Sequence, residues 1–133
     1  MLVFKQILFV GIGGALGAIA RYKLGGFILH RSETWNFPLS TLCVNLLGCV
    51  IIGVLAALVE HHDIFAPTTR LFLFTGLLGG FTTFSAFGYE GIFLLRRGHV
   101  DLASLYAVVS VVGGFVAVWL GMKCVDLLWP ASH

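Results

Sequence analysis

Asn45, Thr41, Thr83, Ser85, Tyr106 and Ser110 are hydrogen-bonding side chains set in otherwise apolar stretches, and they are where this chain can do chemistry. Asn45 carries an amide NH2 and the others carry hydroxyls, donors of the kind that can replace the water shell of a small, strongly hydrated anion. Thr41 and Asn45 are four residues apart, as are Tyr106 and Ser110, so each pair lies on one face of a helix. Phe84 and Phe87 can turn the electropositive edges of their rings toward the same anion. A lone polar stripe is better read as hydrogen-bonding glue between helices. Two stripes converging on one path favour an ion route.

The segment that must position these groups is unusual. Thr75-Gly76-Leu77-Leu78-Gly79-Gly80-Phe81-Thr82-Thr83-Phe84-Ser85-Ala86-Phe87-Gly88 packs glycines, hydroxyls and aromatics into the middle of an uncharged run. Adjacent glycines followed by two β-branched threonines favour a local helix break, which membrane depth tolerates only where protein or a wet cavity satisfies the freed backbone. Carbonyls at such a break can hold a cation, and the amide end of the following half-helix favours an anion. The alternative is a continuous helix with a tight crossing at Gly79 and Gly80. Glu90 follows the run, where a carboxylate can repel anions at a pore mouth, help set ion access or mark the wet end of a helix.

Composition fixes the solvent. Of 133 residues, 59% are hydrophobic and only 11% charged, too little charge for a water-facing shell. Phe37 to Val59, Leu71 to Tyr89 and Leu102 to Met122 contain no Asp, Glu, Lys or Arg, and each is long enough to cross the hydrocarbon core. A fourth run, from about Leu2 to Leu29, contains Lys5, Arg21 and Lys23, cations that can snorkel to the interface. The expected fold is therefore an all-α integral membrane protein of four transmembrane helices, with residues 1–133 forming a single domain. Trp35 and Trp129 are placed as interfacial anchors. The expected connections are 30–36, 60–70 and 96–101.

Small residues recur at four-residue spacing. Gly13, Gly17, Arg21 and Gly25 share one face of the first helix, and Gly113, Ala117 and Gly121 share one face of the last, as close helix packing requires. Four spans put both termini on one side, with Lys5, Arg70 and Lys123 there against Arg21, Lys23, Arg31, Arg96 and Arg97 on the other. Three cations against five is a weak orientation signal, compatible with insertion both ways. Four short helices hardly enclose a polar path alone, so an oligomer is expected.

Gly79-Gly80-Phe81-Thr82-Thr83-Phe84-Ser85-Ala86-Phe87 resembles the signature of the Fluc-type fluoride channel family, two glycines, any residue and then TTFSTF. Gly13-Gly14-Ala15-Leu16-Gly17-Ala18-Ile19-Ala20-Arg21-Tyr22 and Thr41-Leu42-Cys43-Val44-Asn45-Leu46-Leu47-Gly48 resemble further motifs of that family, in its order. The resemblance implies a fluoride-selective channel for passive export across the cell inner (plasma) membrane. It also implies an antiparallel, dual-topology homodimer with two pores and a structural sodium ion. On that resemblance the sodium would rest on main-chain carbonyls of Gly79 and Thr82, at a break in the third helix. Phe84 and Phe87 would line the pore with Asn45, and Arg21 would lie near the wider aqueous entrance. Ala86, Gly88 and Gly114 stand where family members commonly carry hydroxyls.

Other classes fit less well. A small multidrug exporter needs a membrane-embedded carboxylate in its first helix, and none is present. No acid–base pair, nucleophile set or nucleotide pattern suggests an enzyme. The scattered basic residues make no nucleic-acid footprint. Cys43, Cys49 and Cys124 lack zinc or redox spacing and read as packing residues. A metal site at His61 and His62, beside Glu60 and Asp63, is a minor alternative. A structural subunit of a larger complex, with the polar stripes as helix glue, is the remaining rival.

Overall fold

A computed structural model describes residues 2–31 and 37–129, all helical apart from short connections. The elements are α1 (Leu2–Arg31), α2 (Leu39–His62), α3 (Pro67–Arg70), a π-helical stretch (Leu71–Leu78), α4 (Gly79–Phe81), α5 (Phe84–Arg96) and α6 (Val100–Leu128). Four stretches are long and apolar enough to cross a membrane: α1, α2, the composite run Pro67–Arg96 and α6. The protein is a multi-pass membrane protein.

Every span extends beyond the uncharged run that announced it. α1 runs unbroken through Lys5, Arg21 and Lys23 to Arg31, α2 continues through Glu60 to His62, and the third run starts at Pro67. The connections expected at 60–70 and 96–101 are thus shorter than charge alone suggested, at 63–66 and 97–99, whereas residues 32–36 of the one expected at 30–36 lie outside the described residues. A helix keeps its backbone bonds internal whatever the side chain carries, and Lys, Arg and Glu near its ends reach water on their flexible stems. Pro67 sits at the first helical turn, where its missing N–H costs nothing. Trp35 lies outside the described residues. Trp129 follows α6 and is exposed.

Packing sorts into two pairs. α2 lies mainly along α6, and α1 lies mainly along the π-helical stretch and α4. Both contacts use the small-residue faces. A Cβ added to Gly17 would run into the carbonyl oxygen of Leu77, and one on Gly121 into that of Val50, so each pair meets backbone to backbone. A small core of Leu42, Leu94, Ala103 and Tyr106 closes the end where α2, α5 and α6 meet. The outward faces carry exposed Val3, Phe4, Ile19, Val108 and Phe115, as expected of helices whose solvent is lipid.

Candidate ion pathway

Two residues set the site. Thr82 (φ −89°, ψ 159°) and Thr83 (φ −150°, ψ 116°) have extended backbone between α4 and α5. Their β-branched side chains suit that conformation, and both hydroxyls are used locally. Thr82 Oγ1 donates to Leu78 O at 3.0 Å, and Thr83 Oγ1 accepts the Ala86 amide at 3.2 Å, which caps α5. Ser85 Oγ lies 3.2 Å from Thr83 Oγ1.

Asn45 clamps the extended pair from α2. Its Nδ2 donates to Thr83 O at 3.0 Å, and its Oδ1 accepts the Thr83 amide at 2.8 Å, so one side chain satisfies both polar groups of a residue outside the helix. From the other side, Arg21 Nε donates to Gly80 O at 3.2 Å. A guanidinium in an apolar span is costly, and a carbonyl at the end of α4 gives it a partner.

These bonds change what the neighbouring carbonyls can do. In a continuous helix Gly79 O would accept the Thr83 amide, and Thr82 O the Ala86 amide. Both amides are drawn off, by Asn45 Oδ1 and by Thr83 Oγ1. Gly79 is exposed, and both residues border one cavity.

That cavity, about 550 Å³, gathers Asn45, Thr83, Phe84, Phe87 and Ser110. The rings of Phe84 and Phe87 lie 5.5 Å apart and tilted by 42°. Phe84 is 83% exposed, so its own chain leaves it almost uncovered. The rest of the lining is largely apolar and includes Phe74, Leu78 and Phe115.

One turn beyond Phe87, Glu90 ties three elements together. Thr41 donates to its Oε1 at 2.6 Å and Tyr106 to its Oε2 at 2.7 Å. Tyr106 is fully buried, with its ring 5.1 Å from Phe87 and 5.6 Å from Phe37. The two polar stripes therefore split. Asn45 and Ser110 reach the cavity, whereas Thr41 and Tyr106 give their hydroxyls to Glu90. Sequence reasoning treated Thr41 and Tyr106 as open donors and missed that a carboxylate holds them. It also missed Ser40, whose hydroxyl donates to Gly25 O at 2.9 Å and links α2 to α1.

Among the described residues no three of His, Cys, Asp and Glu gather as a metal-ligand set. His61 instead lies 3.3 Å from Asp126 of α6, which also accepts Lys123 Nζ at 2.9 Å. All three cysteines are free thiols.

Residues 8–122 match the family described as CrcB-like protein, Camphor Resistance (CrcB). The chain belongs to the CrcB-like family. One relative, from Methylobacillus flagellatus, is named fluoride-specific ion channel FluC and is 48% identical over 126 residues, 95% of this chain and 98% of its own length. A relative of the same name from Chlorobium chlorochromatii is 45% identical over 127 residues, covering 96% and 95%. In Flavobacterium psychrophilum a third of that name is 38% identical over 118 residues, covering 89% and 94%. The CrcB-like match takes in all the residues that build the cavity.

Proposed function

We propose that this chain is a fluoride-selective ion channel, not an enzyme, which lowers cytoplasmic fluoride by letting the ion leave down its gradient. One observation carries the reading: Asn45, Thr83, Ser110, Phe84 and Phe87, all within the apolar spans, gather on a single cavity. A small anion gives up its water only where donors and electropositive ring edges replace it. Of the two Nδ2 hydrogens of Asn45, one braces Thr83, which leaves the other for an ion. The FluC names of the relatives support the same ion.

The working unit in this proposal is an antiparallel homodimer of dual topology in the cell inner (plasma) membrane, with residues 1–133 as one channel domain. Its support is Phe84, which a second copy would cover, and a cation distribution too even to impose one orientation. The extended pair Thr82-Thr83 serves as the break in the third span. Carbonyls of Gly79 and Thr82, deprived of their helical amides, suit a hard monovalent cation, so they would hold the structural sodium ion. When bound, that ion would supply positive charge beside the cavity. Asn45 and Arg21 keep the surrounding backbone in place. Thr41, Tyr106 and Glu90 form the far wall of the path, and Ser85 adds a hydroxyl next to Thr83.

The test is fluoride efflux from liposomes holding the purified protein, with chloride as control ion and no proton gradient. Fast fluoride release with chloride retained is expected. Folded dimers that release no fluoride would return the third span to a packing role.

A further inference from the structure

Beyond Glu90 lies a second, smaller cavity of about 280 Å³, bordered by Phe37, Phe93, Glu90, Arg97 and His99. It is joined to the larger one by a short relay of contacts: Phe87 faces the large cavity, its ring meets Tyr106, and Tyr106 donates to Glu90, which faces the small cavity. Phe87 and Glu90 are one turn apart on α5, so the two cavities flank one thin wall.

The rim of this small cavity is built. Gly98, with φ at 82°, turns the chain back after α5, and the amides of Arg97 and His99 both bond to Leu94 O, at 3.2 and 3.0 Å. This turn brings Arg97 and His99 to the border of one opening. Arg97 places its guanidinium 4.2 Å from the centre of the Phe93 ring. Among the described residues no carboxylate lies within ion-pair distance of Arg97 or His99. Glu90, on the floor, is already occupied by Thr41 and Tyr106. The Arg97 charge at the rim is therefore stacked on an aromatic ring and is not neutralised by a carboxylate.

We propose that this cavity is an anion-collecting anteroom at one end of the ion path, in which Arg97, with His99 beside it, draws a small monovalent anion toward the wall and offsets the repulsion of Glu90. The assignment rests on the channel reading above. A cleft with low-dielectric walls focuses the field of its rim charges and raises the local concentration of the opposite ion, an effect that salt screens.

The experiment compares Arg97→Glu, Arg97→Lys and Arg96→Glu with the parent protein. Arg96 makes the same change in net charge without lining the cavity. Initial fluoride efflux is measured from low to high ionic strength, and fluoride binding to the purified protein is followed in parallel by 19F line broadening. At low salt, where the screening length is about 30 Å, Arg97→Glu is expected to slow efflux roughly tenfold, narrowing to about twofold where it falls to about 8 Å. Arg97→Lys keeps most of the rate, Arg96→Glu loses clearly less than Arg97→Glu, and the fluoride line of the Arg97→Glu protein is less broadened. Equal effects at positions 96 and 97, or a loss independent of salt, would overturn the anteroom. A parent protein that binds fluoride through Arg97 but does not conduct would sink the channel reading alone, and one that conducts with Arg97→Glu unchanged would sink the anteroom alone.

Discussion

On the two sides of Thr82 and Thr83 the third span is held by different physics. Before them, the π-helical stretch and α4 lie against α1 through glycines: Gly13 and Gly17 meet the backbone around Phe72 and Leu77, and Gly80 meets the backbone of Gly14. After them, α5 is tied by side-chain hydrogen bonds, from Thr41 and Tyr106 to Glu90, with Asn45 bracing the residue between. The first half depends on shape, because backbone cannot move aside for an added methyl group. The second half depends on donors and acceptors, because each polar atom would otherwise stand unsatisfied in a low-dielectric setting. Each half should therefore fail to a different kind of substitution.

The largest effect falls on the shape-dependent half. Gly17→Ala places a Cβ against Leu77 O and within 2.8 Å of the Phe81 amide nitrogen, so α1 and the third span must separate. Overpacking of this kind costs about 1–3 kcal/mol, and more where backbone is the obstacle. Gly11→Ala, on the same helix with nothing within 4 Å, is expected to be neutral or to gain up to about 1 kcal/mol in helix propensity. Thermal unfolding of the two variants in detergent measures the difference. Equal midpoints would remove the distinction between the halves.

Next comes the residue at the boundary. Asn45→Asp keeps the oxygen that accepts the Thr83 amide but replaces the donor to Thr83 O with a second acceptor. Losing that part-buried donor costs up to about 1–3 kcal/mol. Fluoride efflux should fall at least tenfold, because the new charge also faces the anion. Asn45→Ser, which keeps a donor on a shorter arm, should retain more activity. A fully active Asn45→Asp would show that the bracing of Thr83 is dispensable.

How much of this was legible in the sequence differs between the halves in the same way. The glycine faces of α1 and α6 could be read from their four-residue spacing, because packing against a neighbour leaves a periodic mark on one helix. The polar half left no such mark. Thr41, Glu90 and Tyr106 come from three helices, so no spacing relates them, and Glu90 looked like the end of a run and not the acceptor for two others. Arg21 was equally opaque, since its partner is a main-chain carbonyl that every residue type possesses. The π-helical turns of Leu71–Leu78 likewise have no composition of their own. Helix ends were misplaced because charge marks where side chains meet water, whereas the backbone continues beyond that point.

Smaller effects sharpen the hydrogen-bonded half. Tyr106→Phe removes the donor to Glu90 but keeps the ring contacts with Phe37 and Phe87, so its cost isolates the bond. Hydrogen bonds between membrane helices average about 0.6 kcal/mol with a maximum near about 1.7 kcal/mol, and a charged acceptor places this one toward the top of that range. A double-mutant cycle with Glu90→Gln should return a coupling of about 1 kcal/mol. Additivity within about 0.3 kcal/mol would mean that the carboxylate and the phenol are neighbours without being partners.

The smallest effect belongs to the opposite end of α6, where polar bonds also join two helices but in reach of water. Asp126 accepts Lys123 from its own helix and faces His61 of α2, and all three side chains are partly exposed. Solvent and salt weaken such pairs to about 0–1 kcal/mol. Asp126→Asn should therefore lower the unfolding midpoint only slightly, and the difference should vanish at high salt, while the Tyr106→Phe loss persists because its bond is buried. If both losses faded alike with salt, burial would not be what separates the two ends, and the bond from Tyr106 to Glu90 would be as open to solvent and ions as the Asp126 pairs.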